Sequence, residues 1–387
     1  MSTQQGAPQP QQGIDKKTLE KQLVVTSSPQ FHDEASTSRI MWSVSACLLP
    51  AAMWGVYVFG LSALWVMVAA TVAAVVTEYG IARAIGRENT LSDGSAVLTG
   101  FLVGLNMPPA IPAYIPIVGS VFAIAVVKWT FGGLGTNWMN PALAGRVFVF
   151  FSWTGHMTTW KMPATLPQAD AASGATVLGA VKSGVLETGG AVGNPNRYLA
   201  RIDYPRSGLD SGVTAWLNDT VLAPLGINMP AGYVDPFVGN IPGSIGEVSA
   251  LLLLLGTIYL FQKRIITWEI PTAYFTTFAV FIWMFGGVPL GTGAFTGDVL
   301  FHVFAGGLIL GMFYMATDTV TSPMTSMGML IYGAGAGLLT FLIRIYGSYA
   351  EGVSLAIILM NMVVPMINRY TGPSIFGKRA AHVKEGA

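Results

Sequence analysis

Residues 96–112 read AVLTGFLVGLNMPPAIP, and this stretch decides the fold. Its first part, 96–107, is almost wholly apolar and carries the Gly100–Gly104 spacing that lets helices approach closely. Pro108, Pro109 and Pro112 then stop a helix, because proline lacks the backbone donor and clashes with the preceding turn. A membrane span needs roughly 20 apolar residues, about 17 at the least. The run 96–107 falls short of that and ends in prolines. It therefore reads as a half-helix continued by irregular backbone. Such backbone is tolerated at membrane depth only where it is buried in protein or lines a cavity.

Nine further apolar runs surround it: 41–59, 61–82, 111–129, 141–153, 245–261, 268–285, 299–315, 329–345 and 353–367. The run 141–153 is also too short for a full span. The whole chain of 387 residues is 52% hydrophobic and only 10% charged, where a soluble domain carries about 25% charged residues. That is too little charge to cover a water-facing surface and argues against a soluble enzyme. A net charge of +1 argues against nucleic-acid binding. Cys47 stands alone, so no intrachain disulfide can form, and His32, His156, His302 and His382 are too dispersed for a metal site. The fold class expected is an all-α polytopic membrane protein with about ten transmembrane helices.

The ends and one insert differ in composition. Residues 1–40 form a polar Gln-, Ser- and Pro-rich tail without a signal-peptide pattern, read as largely disordered and cytoplasmic. Residues 41–153 form a first membrane half, 154–244 a polar lobe, 245–368 a second membrane half and 369–387 a cytoplasmic tail. The lobe should be mostly loop with a few short helices. With the N-terminus inside and ten spans threaded, fourteen of the 20 Lys and Arg fall on the inner side, Lys128 and Arg146 among them. Five of the other six lie in the lobe, which then faces outward; Arg344 is the sixth. Gly307 and Gly311 repeat the Gly100–Gly104 spacing in a run of opposite direction. This suggests a five-plus-five inverted repeat with broken third and eighth helices. Ordinary small-residue packing is the alternative.

Three clusters can carry chemistry. In the lobe, 170–176 reads DAASGAT. Its small residues leave the backbone open to a phosphate, and Thr176 closes it with a hydroxyl. The plainer reading is a turn into a helical run at 177–181 with Ser173 as N-cap. The loop 132–146 reads GGLGTNWMNPALAGR, and the amides of Asn137 and Asn140 could pair with the edge of a flat heterocycle or simply satisfy loop backbone. The third cluster, Met315 to Pro323, contains Asp318, which meets Asn137 if the two loops converge. Acidic groups near a membrane are costly, so a functional role is the default for Asp318 and, more weakly, for Glu78, Glu247, Asp298 and Glu351.

At these residues the chain resembles the D subunits of Rnf-type ion-translocating ferredoxin:NAD oxidoreductases. More distantly it resembles the B subunits of sodium-translocating NADH:quinone reductases. The likeness runs from Thr26 to Gly377. It is carried by Ser27-Ser28-Pro29, by Ser38 to Met41, by GLGTNWMNPALAGR at 133–146, and by Ser173-Gly174-Ala175-Thr176. GNIPGSIGE at 239–247, Ala316-Thr317-Asp318 and Arg369-Tyr370-Thr371 complete it.

The resemblance implies FMN bound covalently through a phosphoester to Thr176. Asp170, Ser173, Gly174 and Ala175 would form the motif read by a separate flavin transferase. It also implies a noncovalent riboflavin at Asn137, Asn140 and Asp318. The family motif often has glycine where this chain has Ala171, and more often has aspartate where it has Asn368. The amide at 368 removes one carboxylate that could bind a cation or relay a proton. The implied function is electron transfer in a multi-pass subunit of the bacterial cytoplasmic (inner) membrane, coupled to movement of Na+ or H+. Its implied partners are the other Rnf subunits A, B, C, E and G, with G carrying a second covalent FMN. The rival classes are an inverted-repeat secondary transporter or channel without redox function and a structural anchor; a solute channel has no use for the Ser-Gly-Ala-Thr lobe.

Overall fold

The computed structural model describes residues 36–86, 90–166, 174–190, 192–226, 228–347, 349 and 352–372. Among the described residues the regular structure is helical, and Trp160 and Gly174 share an isolated bridge. Each apolar run contributes helix. The first four are α1 (Thr37–Phe59), α2 (Leu61–Ile85), α3 (Ser95–Leu105) and α4 (Tyr114–Val121), which continues in a wider π-type winding over Phe122–Trp129. Then come α5 (Pro141–Ser152), a single helical turn at Thr154–Met157 and four longer lobe helices: α6 (Val177–Thr188), α7 (Pro195–Arg201), α8 (Gly208–Leu217) and α9 (Val234–Val238). The second membrane half holds α10 (Ala250–Gln262), α11 (Glu269–Phe285), α12 (Val299–Phe304), α13 (Leu308–Leu310), α14 (Ser326–Tyr346) and α15 (Val353–Thr371). Two further π-type windings are Asn218–Leu222 in the lobe and Gly311–Met315, which extends α13.

Among the described residues four helices, α1, α2, α14 and α15, are long and apolar enough to cross a bilayer alone. The chain is a polytopic membrane protein in which shorter apolar helices fill in between them. At a rise of about 1.5 Å per residue, α3 spans roughly half of a hydrocarbon core about 30 Å thick. It ends at Leu105, just before the prolines, as the opening stretch requires. The run 299–315 is broken as well, at residues 305–307 between α12 and α13.

Glycine sets the helix spacing. A Cβ on Gly100 would lie 2.7 Å from the Thr71 Cα, and one on Gly104 would lie 2.8 Å from the Met67 Cα. The Gly100–Gly104 pair therefore serves to seat α3 against α2. Gly307 and Gly311 face different neighbours, the Glu247 carboxylate and the Val353 side chain.

One segment departs from the sequence reading. Residues 239–249 precede α10 as non-helical chain, and all of them are buried. The composition of GNIPGSIGE suggests water up to 244 and helix from 245. Instead the segment threads into the core and satisfies the end of α3. Ile245 N–H donates to the Met107 carbonyl at 3.1 Å, and Gly246 N–H donates to the Leu105 carbonyl at 2.8 Å. The last carbonyls of a helix have no partner within it, and this strap supplies two donors there. Polar composition here marks backbone pairing inside the protein, not exposure.

Candidate functional site: two clefts at the ends of α5

α5 begins at Asn140, whose side-chain oxygen accepts from Ala142 N–H at 3.0 Å and Leu143 N–H at 3.4 Å. Pro141 follows at the first helical position, where its missing donor costs nothing. One cleft opens at this end and another where α5 meets the lobe.

The first cleft holds about 760 Å³ including its mouth. Asn137, Asn140 and Asp318 all line it, with Lys128, Thr317 and Tyr314. The two loops therefore converge, although their roles differ. Asn140 is engaged structurally: besides capping α5 it donates to the Met315 carbonyl at 3.2 Å. Asn137 is buried, and its amide oxygen has no partner. Asp318 accepts from the Thr321 hydroxyl at 2.9 Å. Two of the three π-type windings feed this cleft, one delivering Lys128 and the other leading into Ala316-Thr317-Asp318. Such windings are frequent at functional sites.

Lys128 is not the inner-side surface charge that threading the spans makes it. It is buried, donating to Glu78 at 2.9 Å and to the Ser95 hydroxyl at 2.7 Å. Trp129 and Thr90 donate to the same carboxylate, at 2.9 and 2.6 Å. Glu78 therefore sits within the fold, not at a water interface.

The second cleft holds about 940 Å³ including its mouth. Thr176 lines it beside Ala175, Gly179 and Ser183, with Phe150, Trp160 and Tyr349 as aromatic walls. Thr176 is the N-cap of α6, accepting from Gly179 N–H at 3.0 Å. The helix runs to Thr188, well beyond 181, and the cap expected at Ser173 is made three residues later by Thr176. Ser173 and Asp170 lie outside the described residues, as does Glu351. The Gly174 N–H donates to the Trp160 carbonyl at 3.0 Å, and Tyr204 donates to the Ala175 carbonyl at 2.8 Å. Burial pushes the Tyr204 phenol above its ordinary pKa, which keeps it a proton donor there. The backbone leading to Thr176 is thus pinned from two directions.

The family model for NQR2, RnfD and RnfE proteins matches residues 24–377. The chain belongs to the NQR2, RnfD, RnfE family. The D subunit of the proton-translocating ferredoxin:NAD(+) oxidoreductase complex of Clostridium ljungdahlii is 43% identical, over 92% of this chain and 97% of that protein. The D subunit of the Na(+)-translocating complex of Acetobacterium woodii is 41% identical, over 92% and 96%. The D subunit of the ion-translocating oxidoreductase complex of Stutzerimonas stutzeri is 36% identical, over 89% and 94%. These relatives are subunits of ion-translocating oxidoreductases.

In this member of the NQR2, RnfD, RnfE family, sequence reasoning misses one buried group. Arg146, which the threading also sets among the inner-side charges, lies on α5 between the clefts and lines the Thr176 cleft. It pairs with Glu247 of the 239–249 strap at 3.1 Å. It also donates to Ser354 at 2.6 Å, to Asn106 at 3.2 Å and to Ser244 at 3.5 Å. Asn106 in turn donates to the Leu102 carbonyl at 2.7 Å and to the Met315 sulfur at 3.8 Å. Since Asn140 holds the Met315 carbonyl, a polar chain runs from one cleft to the other. The signal in the sequence is an arginine inside one apolar run and a glutamate inside another. Asp298, by contrast, caps α12 through Phe301 N–H at 3.0 Å and accepts from Tyr233 at 2.5 Å, a structural task. Asn368 accepts from Met324 N–H at 3.2 Å and ties α15 to the approach to α14.

Proposed function

We propose that this chain is a membrane electron-transfer subunit of an ion-translocating ferredoxin:NAD+ oxidoreductase complex. It carries FMN as a phosphoester on Thr176 and a noncovalent riboflavin in the cleft of Asn137, Asn140 and Asp318. Its partners are Rnf subunits A, B, C, E and G, and the redox drop drives Na+ or H+ across the cytoplasmic (inner) membrane. In this reading both termini are cytoplasmic, the lobe faces outward, and the halves form a five-plus-five inverted repeat. The breaks after α3 and between α12 and α13 support that repeat.

One observation carries the flavin assignment: the Thr176 hydroxyl caps a 12-residue helix at the edge of an aromatic-walled cleft. The first N–H groups of a helix favour a phosphate, so α6 can hold the phosphoester while Phe150, Trp160 and Tyr349 take a flat ring. In the other cleft the partnerless Asn137 oxygen calls for a donor, which the edge of a flavin supplies. Bound flavin supplies one- and two-electron transfer. The protein positions the ring, fixes the charges around it and shields it from bulk water.

In cells with a flavin transferase, a denaturing gel under ultraviolet light should show a fluorescent band for wild type and none for Thr176→Ala. A dark wild-type band would instead favour the transporter or channel reading. Asn137→Leu should lower the acid-extractable flavin retained per chain by about tenfold or more, since one buried hydrogen bond is worth about 1–3 kcal/mol. The covalent band should stay unchanged. Retention equal to wild type would remove Asn137 from the site.

A further inference from the structure

Arg146 is the one charged side chain lining the Thr176 cleft among the described residues. Behind Thr176 lies a smaller cavity of about 290 Å³, and its one charged wall among the described residues is Glu247. The two members of a single ion pair therefore flank the same threonine, one in each space. Both are buried, and glycines seat them. Gly145, next to Arg146, packs so closely on Gly119 that an added Cβ would lie 2.5 Å from its carbonyl oxygen. Gly307 gives Glu247 its room: an added Cβ would lie 2.3 Å from the carboxylate oxygen. Ser354, Asn106 and Ser244 hold the guanidinium from further sides. The pair is thus fixed in place by packing and by hydrogen bonds.

Fixed charges in a water-poor site act strongly on any nearby group that gains or loses charge. A ring tethered to Thr176 has room in the larger cleft, while the small cavity behind the threonine is too tight for it. Arg146 is the charged group in the wall of that cleft, and its partner Glu247 is the charged group in the wall of the small cavity behind Thr176. Reduction places negative charge on the ring system. A guanidinium favours that change and a carboxylate opposes it.

We propose that the Arg146–Glu247 pair sets the reduction potential of the flavin carried by Thr176, the two charges acting in opposite directions. This rests on the flavin assignment above. The pair acts through its field, without a bond to the cofactor, so both are tuning and positioning residues. The polar chain from Arg146 through Asn106 and Met315 to Asn140 ties this setting to the geometry of the second cleft.

The test is a dye-equilibration titration of the covalent flavin in purified wild type, Arg146→Gln, Glu247→Gln and the double variant. Fluorescence on a denaturing gel first confirms attachment in each. At a fixed applied potential, Arg146→Gln should lower the reduced-to-oxidised ratio by about tenfold, which is about 30 mV for a two-electron couple. Glu247→Gln should raise it by a similar factor, and the double variant should return near wild type. Ser354→Asp keeps the ion pair and adds a carboxylate to the cleft wall; it should lower the ratio and serves where a single variant does not accumulate. Flavin that is attached but unshifted in these variants overturns the proposal. So do shifts of the same sign in both single variants, which is what a merely loosened pocket would give. Absence of covalent flavin from wild type overturns the assignment of Thr176, and with it this inference.

Discussion

Lys128→Met should destabilise the protein by about 3–5 kcal/mol, the cost of breaking a buried ion pair by removing one partner. The Lys128 ammonium meets Glu78 at 2.9 Å and Ser95 at 2.7 Å, and both charged side chains are almost fully buried. Without it the Glu78 carboxylate keeps Trp129 and Thr90 as donors but loses its counter-charge. A loss of that size is a large share of the roughly 5–15 kcal/mol that holds a protein folded. The expected result is a sharply reduced monodisperse fraction in detergent and a lower denaturation midpoint. The double variant Glu78→Gln with Lys128→Met should recover most of the loss, because it removes both charges together. If the double variant is as unstable as Lys128→Met, the charge pair is not the cause.

Gly145→Val should have a comparable effect by a different route. Even a single Cβ at Gly145 would stand 2.5 Å from the Gly119 carbonyl oxygen and 3.1 Å from the Ala123 Cβ. Two helix backbones touch there, so no side chain can give way. Overpacking costs typically about 1–3 kcal/mol, and more where backbone must move. Here the displaced element is α5, which carries Asn140 at one end and Arg146 further along. The variant should therefore melt earlier and, on the flavin assignments proposed above, retain less flavin in both clefts. Gly155→Val provides the control, since an added Cβ there meets nothing within 4 Å. Normal flavin content in Gly145→Val would separate α5 from the two sites.

The helices are legible in the sequence because apolar runs and prolines report local physics. The runs at 41–59, 61–82 and 353–367 become helices Thr37–Phe59, Leu61–Ile85 and Val353–Thr371. The halt after 107 follows from three prolines within five residues. What the sequence conceals depends on partners far along the chain. Arg146 looks like an ordinary inner-side cation until Glu247 is placed beside it. The segment 239–249 looks watery because its glycines and polar groups pair with backbone and side chains elsewhere in the fold. The convergence of Asn137 with Asp318 follows from the sequence only as a condition, and the division of labour with Asn140 does not follow at all. A cap and an open amide look the same in sequence.

The 239–249 strap also bears on how the protein is made. α3 leaves the ribosome with its terminal carbonyls unmet, and the donors that satisfy them, on Ile245 and Gly246, emerge only after the entire lobe. At about 5–20 residues per second, that delay is on the order of ten seconds. During that interval the end of α3 lacks these two native donors. A chain cut between lobe and second half would therefore leave the carbonyls of Leu105 and Met107 without the donors that close them in the whole protein.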